Sequence, residues 1–226
     1  MSKRITAVLV IALGLTLVMS GCGGKEFPNP IDQFVKRHMN DSNYTLILYD
    51  MEVDGTFFKS YHHKYQLVLP GKGDAAPTTN VGPWQEVSEE YYQKHKNDLG
   101  MTIAYKKDGV LEKQVTPPGY QYVGDSRYGE WRTHNGSTFW SFYGRYMFYS
   151  QLFGMINRPV YRREYDEYRG GYYGSRPYYG RDKTGSPRYG TRSKMTQKER
   201  PDFFQRRSQS RGSSRRFGSR GSGFGK

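Results

Sequence analysis

The chain has 226 residues, a length for one domain with extensions rather than several domains. Its mean hydropathy is −0.88, and no apolar run reaches the roughly 18 residues of a spanning helix, which excludes a polytopic membrane protein. A single cysteine excludes an internal disulfide and a cysteine-rich zinc site. The net charge of +14 is unevenly spread. Residues 25–118 carry 11 basic and 13 acidic side chains, whereas residues 119–226 carry 22 basic and 8 acidic ones. An ordinary, slightly acidic half is followed by a cation, a pattern suited to an arm working against an anionic surface.

Residues 1–22 have three parts. Lys3 and Arg4 are positive, Ile5–Val18 is apolar apart from threonines and a glycine, and Ser20-Gly21 precede Cys22. Fourteen helical residues reach about 21 Å, short of the roughly 30 Å hydrocarbon core, so this is a secretory leader rather than a permanent span. Val18-Met19-Ser20-Gly21-Cys22 resembles the lipobox of bacterial lipoprotein precursors, with Met19 where leucine is usual. The resemblance implies signal-peptide cleavage after residue 21 and a diacylglyceryl group on the Cys22 thiol. Acyl chains bury about 0.8 kcal/mol per CH₂, so two make a durable anchor. Gly23, in place of the aspartate that retains such proteins at the inner membrane, implies an outer-membrane destination if the cell has one. Residues 22–30 read as a tether.

Residues 31–134 read as a small α+β domain. Ile31, Phe34, Val35 and His38 fall at helical spacing and predict a helix over about 31–40. Tyr44–Val53 predicts a strand, Asp54-Gly55 a hairpin turn, and Thr56–Leu69 a returning strand long enough to bend or bulge. Residues 70–83 form a glycine- and proline-punctuated loop. Trp84, Val87, Tyr91 and His95 predict a helix over about 84–97. Met101–Tyr105 and Val110–Val115 flank Asp108-Gly109 as a second hairpin. The expected fold is a small antiparallel sheet of two hairpins with two to three helices, followed by a long disordered basic tail.

No constellation of catalytic residues stands out. His62 and His63 are adjacent on a strand and point to opposite faces, so they cannot share a metal; His38, His95 and His134 have no ligand spacing with them. Asp50, Glu52 and Asp54 alternate on one strand face and offer a cation site, although solvated strand carboxylates are commoner. Gly71-Lys72-Gly73 is a fragment of a phosphate loop, and Lys183-Thr184-Gly185 lacks the partner motifs of penicillin-interacting enzymes. No cofactor or metal is expected.

Residues 135–157 are aromatic. Phe139, Phe142, Tyr143, Tyr146, Tyr149 and Phe153 share one face at 100° per residue, after a break at Asn135-Gly136, which predicts a helix. It serves as a core element, as an interfacial helix at a membrane surface, or as a contact for a protein partner over 139–156. Pro117-Pro118-Gly119-Tyr120, Tyr128-Gly129-Glu130-Trp131 and Phe139-Trp140-Ser141-Phe142-Tyr143-Gly144, together with the tyrosine–glycine sequence after them, resemble a group of uncharacterised bacterial lipoproteins over about residues 84–226. That resemblance implies no activity.

From residue 158 onward there are 19 basic and 6 acidic residues and no leucine or isoleucine, which predicts disorder. Arg206, Arg207, Arg211, Arg215, Arg216 and Arg220 form the candidate anion-contacting cluster, since guanidinium groups chelate phosphate or carboxylate. The expectation is a lipid-anchored envelope protein that binds anionic lipids, lipopolysaccharide or wall polymers. The alternatives are a nucleic-acid-binding protein using an RGG-like tail, made less favoured by the leader, and an enzyme of unrecognised type.

Overall fold

The computed structural model describes residues 26–55, 57–71 and 75–216. Helix α1, Pro30–Arg37, is opened by Asn29, whose side-chain oxygen accepts from the Ile31 N–H at 2.9 Å, with Pro30 fixing the first turn. It buries Ile31 and Phe34 and stops at His38, before the expected residue 40.

Strands β1, Tyr44–Asp54, and β2, Ser60–Leu69, pair antiparallel from Thr45↔Val68 to Asp54↔Ser60. The irregularity expected in the second strand lies instead in β1, where the register shifts between Leu48 and Asp50. Gly55 (φ 87°) starts the connecting loop, and a Cβ there would lie 2.0 Å from the Phe58 carbonyl oxygen. Strands β3, Thr78–Val81, and β4, Gln85–Val87, share one edge of β2; β5, Thr102–Lys107, pairs with β1 and carries β6, Val110–Glu112. The order is β3-β2-β1-β5-β6, with β4 also on β2. Asp108 (φ 51°) and Gly109 (φ 82°) close the β5–β6 hairpin in the left-handed conformations that a two-residue turn requires.

The helix expected over 84–97 is shorter. Gln85–Val87 are held as β4 against Tyr61–His63, and Ser88 then caps helix α2, Glu89–His95, by accepting from the Tyr91 N–H at 3.1 Å. Backbone pairing to β2 wins over helical spacing at Trp84 and Val87. A second correction concerns the aromatic segment. Asn135 (φ 48°) and Gly136 (φ 73°) are a hairpin turn joining β7, Gly129–His134, to β8, Ser137–Phe142, and only Met147–Leu152 is α-helical (α3). On a strand, Trp140 and Phe142 fall on the same face, and both are buried.

The largest correction is to the tail. Residues 158–209 are folded around helices α4, Arg162–Gly171, and α5, Lys194–Glu199, and the first half of α6, Pro201–Arg216. Composition counted aliphatic residues, but tyrosine builds this part of the core. Tyr168, Tyr178 and Tyr189 are buried with ring centroids 5.3, 6.0 and 5.9 Å from that of Tyr120. A tyrosine ring buries roughly 150–250 Å², enough to offset chain entropy without leucine. This aromatic core includes Trp140, Phe142, Tyr149, Phe153 and Met155, and packs on Ile47, Val68 and Met101 of the sheet. A second cluster joins α1, Leu46, Leu48, Met51 and Tyr65 to Leu99, Ile103 and Phe203 of α6.

Tyr178→Ala should therefore cost about 3–5 kcal/mol of stability, as for a large buried ring, rather than the near-zero effect expected in an unstructured tail. Denaturant unfolding, with limited proteolysis between residues 158 and 209, measures it.

Candidate functional site

The candidate arginines do not form one cluster. Arg206 is paired within the chain: its Nη2 donates to both Asp50 carboxylate oxygens at 2.7 Å, and its Nε lies 4.0 Å from Glu52 Oε2. Arg207 has its guanidinium 5.9 Å from the Phe203 ring. Arg211, Arg215 and Arg216 are carried by the second half of α6, while Arg220 and Cys22 lie outside the described residues.

The carboxylates Asp50 and Glu52, read from the sequence as a cation site, thus hold a cation of the same chain. The bulge at Leu48–Asp50 and the docking of α6 on β1 make this pairing. Trp84 completes the surface, with Lys64 Nζ 4.4 Å and Arg206 Cζ 5.9 Å from the ring centroid. Arg200, the residue before α6, lies 3.9 Å over Tyr49, and Arg206 within α6 meets Asp50 and Glu52. Asp54 is not part of the cluster: its Oδ1 accepts from the Gly55 N–H at 2.7 Å.

A second assembly of polar side chains is buried between β2, α2 and the C-terminal segment. His62 and His63 do face opposite ways; His63 points inward, fully buried, with Nδ1 3.0 Å from the Tyr65 hydroxyl. Its ring centroid is 6.2 Å from that of His95. The His95 Nδ1 lies 2.8 Å from Asp98 Oδ2, and Tyr179 donates its hydroxyl to Asp98 Oδ1 at 2.6 Å. Thr191 continues the tie, its Oγ1 accepting from the Leu99 N–H at 3.2 Å and donating to the Lys96 carbonyl at 2.8 Å. Gly190 is required beside it, because a Cβ there would lie 2.4 Å from the Asn97 carbonyl oxygen and φ is 78°.

A histidine oriented by a carboxylate is half of a nucleophile-activating triad. Here the Nε2 atoms of His63 and His95 are both buried, and the two rings pack against each other and against Tyr91. The network ties the helix α2–β5 connection to residues 179–191. The sequence reading missed it. His95 and Asp98 at i and i+3 were a local signal; Tyr179 and Thr191, some 80 to 95 positions distant, gave none.

Burial, then the neighbouring His95 and His62, lowers the His63 pKa to about 3, so this imidazole is neutral in the folded protein. Tyr179 is pushed up by burial and by Asp98, which holds its phenol as a donor. A cleft of about 230 Å³ shares Tyr179 with this tie and is lined also by Tyr172, Tyr178, Glu167 and Arg181 among others. Among the described residues, no group of three His, Cys, Asp or Glu side chains is placed to hold a metal, and no helix is long and apolar enough to cross a membrane.

No family model matches the chain, and neither curated proteins nor solved structures provide a match.

Because His63 folds with a lowered pKa, its stabilising contribution is complete above the unfolded value near 6.5 and is lost as pH falls toward 3. Unfolding free energy should fall as pH drops below roughly 6.5, the slope from this group approaching about 1.4 kcal/mol per pH unit below about pH 5.5. His63→Gln should remove that slope in denaturant titrations across the same range. Asp50→Ala should leave the fold intact but loosen α6, costing on the order of 1 kcal/mol and accelerating amide exchange over residues 201–209.

Proposed function

We propose that this chain is a lipid-anchored component of a bacterial cell envelope that binds or organises anionic envelope material rather than catalysing a reaction. Cys22 is the acyl acceptor. The C-terminal arginines contact phosphate or carboxylate groups of lipids, lipopolysaccharide or wall polymers.

The observation that carries this reading is where charge is neutralised within the chain and where it is not. Arg158, Arg188 and Arg206 pair with Glu199, Glu164 and Asp50. After residue 209 the sequence contains Arg211, Arg215, Arg216, Arg220 and Lys226 and no acidic residue. Helix α6 carries the first three onward from the Arg206 clasp, and ten residues at 1.5 Å each extend about 15 Å. The basic segment is thereby presented from a fixed root. Each basic residue at an anionic membrane contributes about 1 kcal/mol, so several act together.

Of the three roles considered for residues 139–156, a core role is favoured by the burial of Trp140, Phe142, Tyr149, Phe153 and Met155. A protein partner there would meet chiefly Tyr143, Met147 and Ile156, the exposed large side chains of this stretch.

Two measurements test the proposal. Cys22→Ser should move the protein from the membrane to the soluble fraction, and intact mass should show cleavage and acylation in the parent and neither acyl group nor anchor in the variant. Removal of residues 210–226 should abolish salt-sensitive sedimentation with anionic vesicles or wall sacculi. The cut belongs after residue 209, because Phe203 is buried in the core and an earlier truncation would unfold the protein. Unchanged sedimentation would reject the arm's role.

A further inference from the structure

The β1–β2 hairpin ends in two phenylalanines that touch almost nothing. Phe57 is 90% exposed and Phe58 is 94% exposed. Single exposed apolar residues are ordinary, but two adjacent aromatic rings at the end of a long hairpin are not. The tip also stands clear of the rest of the fold. The pairing of β5 with β1 ends at Ile47, β4 covers β2 only over Tyr61–His63, and Arg200 and Arg206 meet β1 at Tyr49–Glu52. Phe57 and Phe58 lie beyond all three contacts along the hairpin.

We propose that this tip is a membrane wedge: Phe57 and Phe58 insert into the headgroup–acyl boundary of a lipid bilayer while the arginines beyond residue 209 hold its anionic surface. The inference rests on the reading above for the arm, and narrows its partner to lipid. Two rings offer roughly 300–500 Å² of apolar surface, well below the ~800 Å² per partner of a standard protein interface. Two rings this exposed would need a matching pocket on a protein partner, whereas a bilayer accepts a wedge of any outline.

Charge points the same way. The loop is close to neutral, with Asp54 set against Lys59 and the Asp54 carboxylate turned back onto the Gly55 N–H. Glu52, the next carboxylate along β1, lies 4.0 Å from the Arg206 guanidinium. Carboxylates at the hairpin's end are thus partly neutralised, which lowers the repulsion between this end and anionic headgroups. Arg200 over Tyr49 and Arg206 at Asp50 and Glu52 root the basic half of α6 on the stretch of β1 that leads into this hairpin. A shallow apolar contact joined to a basic patch is the pairing of weak signals that gives stable membrane attachment.

The test uses the processed chain from residue 22 carrying Cys22→Ser, so that no acyl chain contributes, with vesicles of phosphatidylcholine alone or mixed with phosphatidylglycerol. Phe57→Ser combined with Phe58→Ser should weaken binding to the mixed vesicles about tenfold or more, at low and at high salt, with the thermal transition unchanged. With the native cysteine replaced, Phe58→Cys supplies a single thiol. An environment-sensitive fluorophore placed there should shift to the blue on vesicles and be quenched by nitroxide-labelled lipid. Wild-type affinity in the double variant, an unshifted and unquenched fluorophore, or no binding to either vesicle overturns the wedge. Removal of residues 210–226 separates the two readings. If it abolishes binding while the double serine variant binds normally, the wedge falls and the arm stands. If it changes nothing while the serine variant binds weakly, the wedge stands and the arm falls.

Discussion

Burying tyrosine rings in place of aliphatic side chains is the constraint on which this structure depends. The second half of the chain has few aliphatic side chains to exclude water, so phenol rings form its core. Each brings a large apolar face and one polar oxygen, and two of these oxygens are tied to groups outside the ring cluster. Tyr178 donates to the Glu164 carbonyl at 3.0 Å and Tyr179 to Asp98 at 2.6 Å. These bonds give direction to a packing that apolar contact alone would leave loose. They explain how residues 158–209, with a composition that suggests disorder, hold a fixed path over the sheet.

The sheet is divided by the same economy. One face, carrying Tyr61, His63, Tyr65 and Leu67, is covered by α1 and α2 with a mixed aliphatic and aromatic core. The other, through Ile47 and Val68, receives the tyrosine cluster. Helix α6 lies against β1 where β5 has ended, and its Arg206 pairs with carboxylates there, with Arg200 just before it over Tyr49. A strand without a neighbour on one side invites pairing with other chains, and a packed helix with an ion pair at its root guards against it.

What the sequence disclosed depended on the range of the interaction. The β1–β2 and β5–β6 hairpins were legible because Asp54-Gly55 and Asp108-Gly109 lie between β-rich runs, and α1 because apolar positions recur along its two turns. The Asn135-Gly136 turn carried an equally local hairpin signal, and the helical spacing of the aromatics after it masked that signal. The tail was misjudged for a different reason. Its tyrosines fold by meeting Tyr120 and one another, and nothing within a short window distinguishes a ring that will be buried from one that will not. Likewise the histidines could be excluded as a metal pair from strand geometry, whereas the Asp98–Tyr179 tie spans 81 positions. The Arg206–Asp50 pair spans 156, and reassigns a residue read as part of an outward-facing cluster to an internal clasp.

That clasp, with Phe203 beside it, also sets an order of events. The N-terminal cluster around Leu46 and Leu48 receives its last buried ring from a residue near the far end of the polypeptide, and the aromatic cluster waits for Tyr189. Contacts of such separation close late, after the entropy of a long loop has been met. A chain synthesised from its amino end therefore carries an unfinished interior until its final fifth, with Tyr189 and Phe203, has emerged. Pliancy in the growing chain and rigidity on completion are two consequences of one connectivity.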